Sequence, residues 1–318
     1  MPKHIPQNAS SESRKGVHPD LPQLRAQASP LQCYSYNMAI EYDEIGIWSE
    51  VKLAIIREYA GAYTRIMEAQ RRDRIGGLRW IYIDAYAGPG YHLSKTTGEL
   101  VEGSPLIALN TSPPFHEYHF IDSENSRAAQ LRDLTVDRPD VFTYGENCND
   151  VLLSRVFPRA KYTEYGRALC LLDPYNIDLK WEVIEAAGKS KSIEIFMNLM
   201  IMDVNRNALR RNPDKSVESK VVQMTRLWGD ESWKDAGYDQ IPTLFEQSVP
   251  LKVSNERFAE AFRQRLQTKA GFRCVPNPMP MKTKNNSVIY YLYFASQKEA
   301  GMDIVNDIFR KYREKQGL

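Results

Sequence analysis

The segment from Tyr82 to Gly90 combines an acid, an aromatic residue and two glycines at a regular spacing. Asp84, Tyr86, Gly88 and Gly90 stand at positions i, i+2, i+4 and i+6, at the end of an apolar run. Glycines after a strand let the backbone approach a ligand closely, because no Cβ atom intervenes. In an open α/β sheet, ligands bind at the carboxyl ends of the strands. The pattern therefore predicts a ligand-binding turn in which Asp84 supplies a negative charge.

Other nucleotide-binding motifs match this chain less well. A dinucleotide fingerprint needs a third glycine and a helix directly after the turn, whereas Leu93 stands at the third position and residues 91–101 are polar. This disfavours a nicotinamide-dependent oxidoreductase. Gly188-Lys189-Ser190 resembles the end of a Walker A loop, but Val183 stands where that loop begins with glycine. A tight turn without a ligand is the remaining alternative.

The Tyr82–Gly90 turn is very similar to the first motif of S-adenosylmethionine-dependent methyltransferases. In that family the acid and the glycines lie along the methionine part of the cofactor. The resemblance implies that S-adenosylmethionine (SAM) is the cofactor and that it contacts Asp84, Tyr86, Gly88 and Gly90.

The same resemblance assigns roles to two later strand ends. Asp122 follows the run Glu117–Ile121, where such enzymes bind the ribose hydroxyls, and its two acceptor oxygens suit a vicinal diol. Asn147 and Cys148 follow the run Val141–Tyr144, where the family contacts the adenine. An exposed acid and a simple turn are the alternatives at these positions.

Asp173-Pro174-Tyr175-Asn176 resembles the D-P-P-Y motif of amino-directed methyltransferases. In that motif the acid and a backbone carbonyl accept hydrogen bonds from a target amine, and the aromatic ring stacks on the base. The resemblance implies that Asp173, Pro174 and Tyr175 line the catalytic side, through positioning more than through acid–base chemistry. The match is imperfect, since Tyr175 lies one place early and Asn176 occupies the aromatic position. A plain Asp-Pro turn is the alternative.

The chain also resembles the three-Cys-motif partner protein (TcmP) family over about residues 43–312. The resemblance includes Trp48-Ser49-x-x-Lys52-Leu53, Tyr86-Ala87-Gly88-Pro89-Gly90, Gly103-Ser104-Pro105, Phe120-Ile121-Asp122, Leu172-Asp173-Pro174-Tyr175, Asn205-Arg206, Leu227-Trp228-Gly229 and the closing segment Tyr290–Ser296. It implies association with a radical-SAM-like iron–sulfur protein that carries a three-cysteine cluster, which this chain lacks.

Alternating strand and helix patterns predict an α/β fold: a Rossmann-like, doubly wound sheet that is mostly parallel. An amphipathic helix is predicted from Ser49 to Arg72, and buried strands are predicted at Trp80–Tyr86, Glu117–Ile121, Val141–Tyr144, Ala168–Leu172 and Ile193–Leu199. We expect a disordered tail over residues 1–40 and one methyltransferase-like domain over residues 41–318.

The last third of the domain has a different pattern. Residues 200–270 show no clear strands and predict a helical insertion, with its best helix at Asn255–Thr268. Gly271–Val275 and Val288–Ser296 are predicted to be two strands joined by a loop. Such a connection favours an antiparallel hairpin at one edge of the sheet.

The composition is that of an ordinary globular protein. Of its 318 residues, 42% are hydrophobic and 26% are charged, and the formal net charge is +2. Residues 201–318 hold 20 basic and 14 acidic side chains, which is compatible with a nucleic-acid surface or with a mixed solvated one. No apolar stretch approaches the ~18 residues of a membrane span, and the N-terminus has no signal sequence. We therefore expect no membrane partner and a cytoplasmic protein.

Cysteine and histidine spacing predicts neither disulfides nor a metal site. No C-x-x-C motif is present, and only His116 and His119 are close together among the histidines. We expect reduced thiols at Cys33, Cys148, Cys170 and Cys274.

Two functions follow from the sequence. The first is a SAM-dependent methyltransferase, acting on an amine of a nucleic-acid base. The second is a methyltransferase-shaped partner of the three-cysteine iron–sulfur protein, with altered or lost catalysis.

Overall fold

The computed structural model describes residues 42–72, 77–175, 177–242, 248–283 and 285–316. The tail predicted over residues 1–40, with Cys33, lies outside the described residues, and so does Asn176.

The described strands and helices alternate along most of the chain. The strands are β1 (Asp43–Ile45), β2 (Arg79–Asp84), β3 (Tyr91–Ser94), β4 (Leu100–Glu102), β5 (Glu117–Ile121), β6 (Val141–Tyr144), β7 (Gly166–Leu172), β8 (Ile193–Leu199), β9 (Tyr238–Pro242), β10 (Ser248–Lys252), β11 (Met279–Lys282) and β12 (Val288–Ala295). The α-helices are α1 (Ile47–Arg72), α2 (Ser104–Leu109), α3 (Asn125–Leu134), α4 (Cys148–Val151), α5 (Trp181–Ser190), α6 (Ile201–Asn207), α7 (Glu218–Trp228), α8 (Trp233–Gly237), α9 (Asn255–Thr268) and α10 (Glu299–Gln316). A π-turn and two 3₁₀ turns follow α4, between Leu152 and Glu164.

Seven strands form one mixed sheet in the order β11-β12-β8-β7-β2-β5-β6. The five strands from β8 to β6 are parallel to one another. The chain goes from β2 outward to β5 and β6, and then returns to the other side of β2 for β7 and β8. The strand order therefore reverses between β2 and β7, and such a switch point opens a crevice outside the carboxyl ends of the strands.

The prediction of an antiparallel edge is confirmed, but the position of one of its strands is wrong. β12 runs antiparallel to β8, and β11 runs antiparallel to β12. The first strand of this hairpin is Met279–Lys282 and not the predicted Gly271–Val275, which contributes only an isolated bridge between Cys274 and Ser296. The buried Met279 and Met281 alternate with the less buried Pro280 and Lys282, as is typical of a strand. The nearby prolines hide this alternation in the sequence.

The central strands of the sheet are mostly apolar because helices cover both of their faces. Within β2, the side chains of Trp80 and Tyr82 belong to one core, whereas those of Ile81 and Ile83 belong to the other. Helices α1 and α10 cover the first face, and helices α5 and α9 cover the second. The fold therefore has three layers, with the sheet between two layers of helices. These helices leave the two ends of the strands uncovered.

The predicted helical insertion over residues 200–270 is only partly correct. Helices α6, α7, α8 and α9 lie there, but β9 and β10 form an antiparallel pair within it. This ribbon is missing from the prediction because it does not have a buried apolar run: Ile241, Val249 and Leu251 are exposed. Pro242 and Pro250 also weaken its strand pattern.

A small three-stranded sheet and the last helix were not predicted from the sequence. Residues 91–101, expected to be a loop, form β3 and β4, and β1 adds to β3 to complete a three-stranded sheet. Helix α10 follows β12 and packs on α1, where Tyr312 donates a hydrogen bond to Glu58 (2.7 Å). The amphipathic helix expected from Ser49 is α1, which begins two residues earlier.

We expect Gly188→Ala to destabilise the protein, although alanine is the better helix former by about 1 kcal/mol. A Cβ atom at position 188 in α5 would lie 2.0 Å from the carbonyl oxygen of Ala270. Overpacking of this kind costs about 1–3 kcal/mol. Urea denaturation measures the change in the free energy of unfolding.

Gly61→Ala is the matched control for this prediction. Gly61 also lies inside a helix, but its nearest contact would be the mobile end of Arg65 at 3.3 Å. We expect this variant to be as stable as the wild type or more stable. Equal stabilities of the two variants would contradict the packing of α5 against the segment after α9.

Candidate functional site

The turn predicted to bind a ligand lies at the carboxyl end of β2, beside the switch point of the sheet. It is joined to both neighbouring strands by backbone hydrogen bonds. The N–H of Ala85 donates to the carbonyl of Leu171 (3.0 Å), and the N–H of Ala87 donates to the carbonyl of Ile121 (3.0 Å). The turn is therefore fixed relative to the ends of both β7 and β5.

Glycine is required at three places around this turn. Gly88 and Gly90 have φ angles of +66° and +95°, a region in which side chains with a Cβ are strained. A Cβ atom at Gly103 would lie 2.8 Å from the carbonyl oxygen of Gly90. The N–H of Gly103 donates to that oxygen at 2.7 Å. The turn and the start of α2 thus approach each other backbone to backbone.

Asp84 ends β2 as a fully buried carboxyl group. Its Oδ1 accepts a long hydrogen bond from the N–H of Tyr86 (3.4 Å), and its Oδ2 has no well-formed hydrogen bond to any of the described residues. Burial raises the pKa of Asp84 to about 7; the Asp173 charge adds to this rise, and the Ser104 hydroxyl opposes it. An under-bonded buried acid at this place is suited to receive a cation or a hydrogen-bond donor.

Asp173 follows β7 and is bound by two side chains from other elements. Its Oδ2 forms an ion pair with Lys52 of α1, and its Oδ1 accepts a hydrogen bond from the amide of Asn198 in β8. Both partners are buried. The acid is therefore held in place by charge and by hydrogen bonding.

Lys52 and Asn198 were not assigned a role from the sequence. A signal for Lys52 was present, since it lies at helical spacing with the buried residues Ile55, Ile56 and Tyr59. A lysine on the apolar face of a helix is seldom buried without a partner. Nothing in the sequence identifies that partner, which is 121 residues away.

A cleft of about 80 Å³ lies between the glycine turn, α1 and the end of β7. Side chains that line it include those of Lys52, His92, Ser104, Asp173 and Tyr175. Burial lowers the pKa of His92, and the Lys52 charge lowers it further. With His92 neutral at pH 7, Lys52 is the cation that faces the carboxyl groups of Asp84 and Asp173.

Asp122 lies next to the turn, as predicted, and bonds to it directly. Its Oδ2 accepts from the N–H of Gly88 (2.9 Å), and its Oδ1 accepts from the N–H of Glu124 (2.9 Å). The side chain is buried. Each oxygen keeps acceptor capacity, because a carboxylate oxygen has two lone pairs.

Residues Asn147 and Cys148 begin α4, after β6. The exposed Asn147 caps this helix, and its Oδ1 accepts from the N–H of Asn149 (3.0 Å). The buried Cys148 thiol lies beside Tyr86, and burial raises the pKa of Cys148 to about 11. Tyr86 itself donates to the carbonyl of Asp178 (2.9 Å). The structure thus brings Tyr86 and Cys148 together and leaves the Asn147 oxygen engaged in capping.

Pro174 and Tyr175 continue the chain after Asp173. Pro174 is buried, whereas Tyr175 is 62% exposed. The guanidinium of Arg127 lies 5.3 Å from the centre of the Tyr175 ring and donates to its hydroxyl at 3.0 Å. Arg127 also pairs with Asp43 of β1 (3.2 Å). An exposed aromatic ring backed by a cation stands at the mouth of the cleft.

The described residues contain neither a candidate metal centre nor a disulfide. No three His, Cys, Asp or Glu side chains lie close enough there to bind a metal ion. The three cysteines in this part, Cys148, Cys170 and Cys274, are buried free thiols. None of the described helices has the length and apolarity needed to cross a membrane.

Comparisons with known proteins give a limited result. No family model matches this chain, and no curated protein matches it. The resemblance to the TcmP family therefore stays a prediction.

Two solved structures are similar to the chain at low scores. One is a Legionella pneumophila protein of the family model DUF519, at 10% identity and a TM-score of 0.43, with 82% of this chain and 91% of that chain covered. The other is the methyltransferase domain of the bacterial protein CtHen1, at 10% identity and a TM-score of 0.34, with 76% and 99% covered. Values this low do not establish a shared function.

We expect Asp84→Asn to stabilise the protein at neutral pH. The pKa of Asp84 is raised by folding, so the unfolded state releases its proton more readily than the folded state does. The protonated Asp84 carboxyl makes its full contribution to the free energy of unfolding below about pH 4. This contribution is lost as the pH rises from about 4 to about 7. Asparagine removes this loss without a change in shape.

Urea denaturation between pH 4.5 and pH 8 measures the effect. The free energy of unfolding of Asp84→Asn should exceed that of the wild type by a few kcal/mol at the upper end, and the gap should shrink towards the lower end. Asp214→Asn, at an exposed carboxylate, is the control and should show no such trend. A gap that is constant with pH would contradict a raised pKa for Asp84.

Proposed function

We propose that this chain is a SAM-dependent methyltransferase with a Rossmann-like fold. The observation that carries the proposal is the under-bonded buried carboxyl of Asp84, which lies beside a glycine turn at the switch point of the sheet. The other side chains that the methyltransferase resemblance identifies lie at neighbouring strand ends. Asp122 follows β5, and Asp173 follows β7.

The topology of the sheet supports the fold part of the proposal. Five parallel strands with helices on both faces, and an antiparallel strand inserted next to one edge, are expected of a Rossmann-like methyltransferase domain. The order β6-β5-β2-β7-β8-β12-β11 has these features. The first strand of the fold would be β2, and the motif at its end would be the cofactor turn.

The residue types around the turn suit the functional groups of SAM, and a ligand of that size would have to extend beyond the cleft of about 80 Å³. Gly88 and Gly90 present backbone without Cβ atoms, Asp84 has an unpaired oxygen, and Asp122 retains acceptor capacity for hydroxyl groups. Tyr86 and Cys148 would line the side on which the family contacts the adenine. When bound, SAM supplies an electrophilic methyl group on a positively charged sulfur.

The electrostatics of the cleft also favour a cationic ligand. Of the two carboxyl groups, that of Asp173 is balanced by the charge of Lys52. The second group, Asp84, is half protonated at pH 7, because burial raises its pKa to about 7. A nearby positive charge would lower that pKa again and would make Asp84 a full anion at pH 7. Asp84 is therefore the residue that we expect to respond most strongly to SAM.

For the methyl acceptor, we propose an amine of a nucleic-acid base. The exposed ring of Tyr175 offers a stacking surface for the base, and Arg127 holds the ring in place through its hydroxyl. Asp173 would accept a hydrogen bond from the amine and orient its lone pair. Lys52 and Asn198 would position Asp173 without taking part in bond formation.

One observation favours the second function, a methyltransferase-shaped partner of an iron–sulfur protein. Both oxygens of Asp173 are already bound, one by Lys52 and one by Asn198. An acid so fully engaged is a weaker acceptor for a target amine. A chain of this kind would bind SAM, transfer no methyl group by itself and copurify with a three-cysteine-motif protein.

Calorimetric titration of SAM and S-adenosylhomocysteine (SAH) into the purified chain tests the proposed function. We expect micromolar affinity, about −8 kcal/mol, and no binding of NAD. Asp84→Asn should weaken SAM binding by about tenfold or more, because it removes a buried charge opposite the cation. Asp214→Asn should bind as the wild type does. Absence of SAM and SAH binding would contradict the proposal.

Methyl-labelled SAM then separates the two functions. Transfer of label to RNA or DNA, reduced in Asp173→Asn with SAM affinity retained, is the result expected of the enzyme. Binding of SAM without transfer to any nucleic acid would favour the partner protein.

A further inference from the structure

A second cavity, of about 220 Å³, lies at the opposite end of the sheet from the cleft. It is bounded by one face of α1, by the start of α10 and by the amino ends of β7 and β8. Arg167 and Glu194 line it near the starts of these strands, whereas Asp173 and Asn198 lie at the other ends. At about 3.3 Å per residue along a strand, the two sites are about 13–20 Å apart.

The charge of this cavity is predominantly positive. Arg167, Lys191 and Lys298 contribute to its lining, and Glu194 is the acid in that lining. Lys191 and Lys298 form no ion pair with any residue of the described part of the chain. Arg167 lies with its guanidinium 4.2 Å from the ring centre of Tyr162, at the wall.

Glu194 offsets at most one of these three positive charges, and its two oxygens already accept hydrogen bonds from the protein. Tyr59 donates to Oε2 at 2.5 Å, and Ser296 donates to Oε1 at 2.8 Å. Burial raises the pKa of Glu194 and so favours its uncharged form. The net positive charge of the lining is therefore two or more.

A buried hydroxyl without a partner marks the interior of the cavity. Tyr63 is 2% exposed, and its hydroxyl has no hydrogen-bond partner among the described residues. Tyr59 and Tyr63 lie one helical turn apart on α1, and both line the cavity. Tyr59 bonds to Glu194, whereas Tyr63 is left with a donor that a ligand could use.

One further part of the wall is apolar, whereas Gln70, Ser192 and Gln297 add polar groups to the lining. Ile66, Met67 and Ile304 form the apolar part together with the ring of Tyr162. The helix α10 approaches closely at Gly301, where a Cβ atom would lie 2.8 Å from the Tyr59 hydroxyl. A volume of this size is below that of pockets for drug-sized ligands.

We propose that this cavity is a binding site for a small organic anion with a planar apolar body, such as an aromatic carboxylate. The anionic group would be attracted by Lys298, Lys191 and Arg167, the ring would lie against the apolar wall, and the Tyr63 hydroxyl would donate a hydrogen bond. The site is independent of SAM, since none of its lining residues belongs to the cleft at the other strand ends.

Three probes of similar shape and different charge test the proposal. Benzoate, benzamide and benzylamine are titrated into the full-length protein, and binding is followed by protein NMR. We expect benzoate to bind with a millimolar or lower dissociation constant, benzamide to bind about tenfold more weakly, and benzylamine not to bind. No benzoate binding, or equal binding of benzoate and benzamide, would overturn the proposal.

Two variants locate the binding. Lys298→Gln should reduce benzoate affinity by about three- to tenfold, whereas Lys269→Gln, at an exposed lysine after α9, should leave it unchanged. Tyr63→Phe should also reduce benzoate affinity. Equal affinity in Lys298→Gln, Tyr63→Phe and the wild type would overturn the site.

A stability measurement distinguishes a ligand-binding hydroxyl from a structural one. Tyr63→Phe removes a buried hydroxyl that has no partner among the described residues and keeps the ring. In the absence of benzoate, its unfolding midpoint in urea should therefore equal that of the wild type or exceed it. A marked loss of stability in Tyr63→Phe would mean that the hydroxyl serves the fold, and it would contradict the proposal.

Discussion

Two carboxyl groups, the buried Asp84 and the half-buried Asp173, meet one ammonium group where the central strands of the sheet end, and the candidate site depends on how their charge is compensated. Lys52 pairs with Asp173, whereas the buried Asp84 forms no ion pair with any of the described residues. A buried acid without a counter-ion shifts its pKa and keeps its proton. A cation that binds beside Asp84 would therefore lower the pKa of this acid and release its proton. This links the electrostatics of the fold with the proposed binding of SAM.

The need to compensate charge at the strand ends also explains how the surrounding elements are arranged. Helix α1, which covers the first face of the sheet, also reaches the end of β7, where its Lys52 lies beside Asp173. The small sheet of β1, β3 and β4 covers the glycine turn from the outside, with His92 of β3 in the cleft. In the parallel part of the sheet, the carboxyl ends of the strands lie together at one end of the sheet. The helices on the two faces do not cover these strand ends.

Much of this could be predicted from the sequence, because local patterns determine strand ends. The order of buried strands, the glycine turn and the strand ends that carry Asp122 and Asp173 all follow from runs of apolar residues and the residues after them. The pairing of Lys52 with Asp173 could not be predicted, since it joins residues 121 positions apart. The ribbon of β9 and β10 was missed because its exposed side chains do not show the pattern of a buried strand. The capping role of Asn147 is also a local geometry that spacing alone does not reveal.

Proton release on SAM binding tests the central claim most directly. At pH 7 a carboxyl with a pKa of about 7 is half protonated, so a cation bound beside Asp84 should displace about half a proton per site. Calorimetry of SAM binding in buffers that differ in ionisation enthalpy measures this number. We expect proton release in the wild type and none in Asp84→Asn. Binding of SAM without proton release, or with equal release in both proteins, would contradict the account.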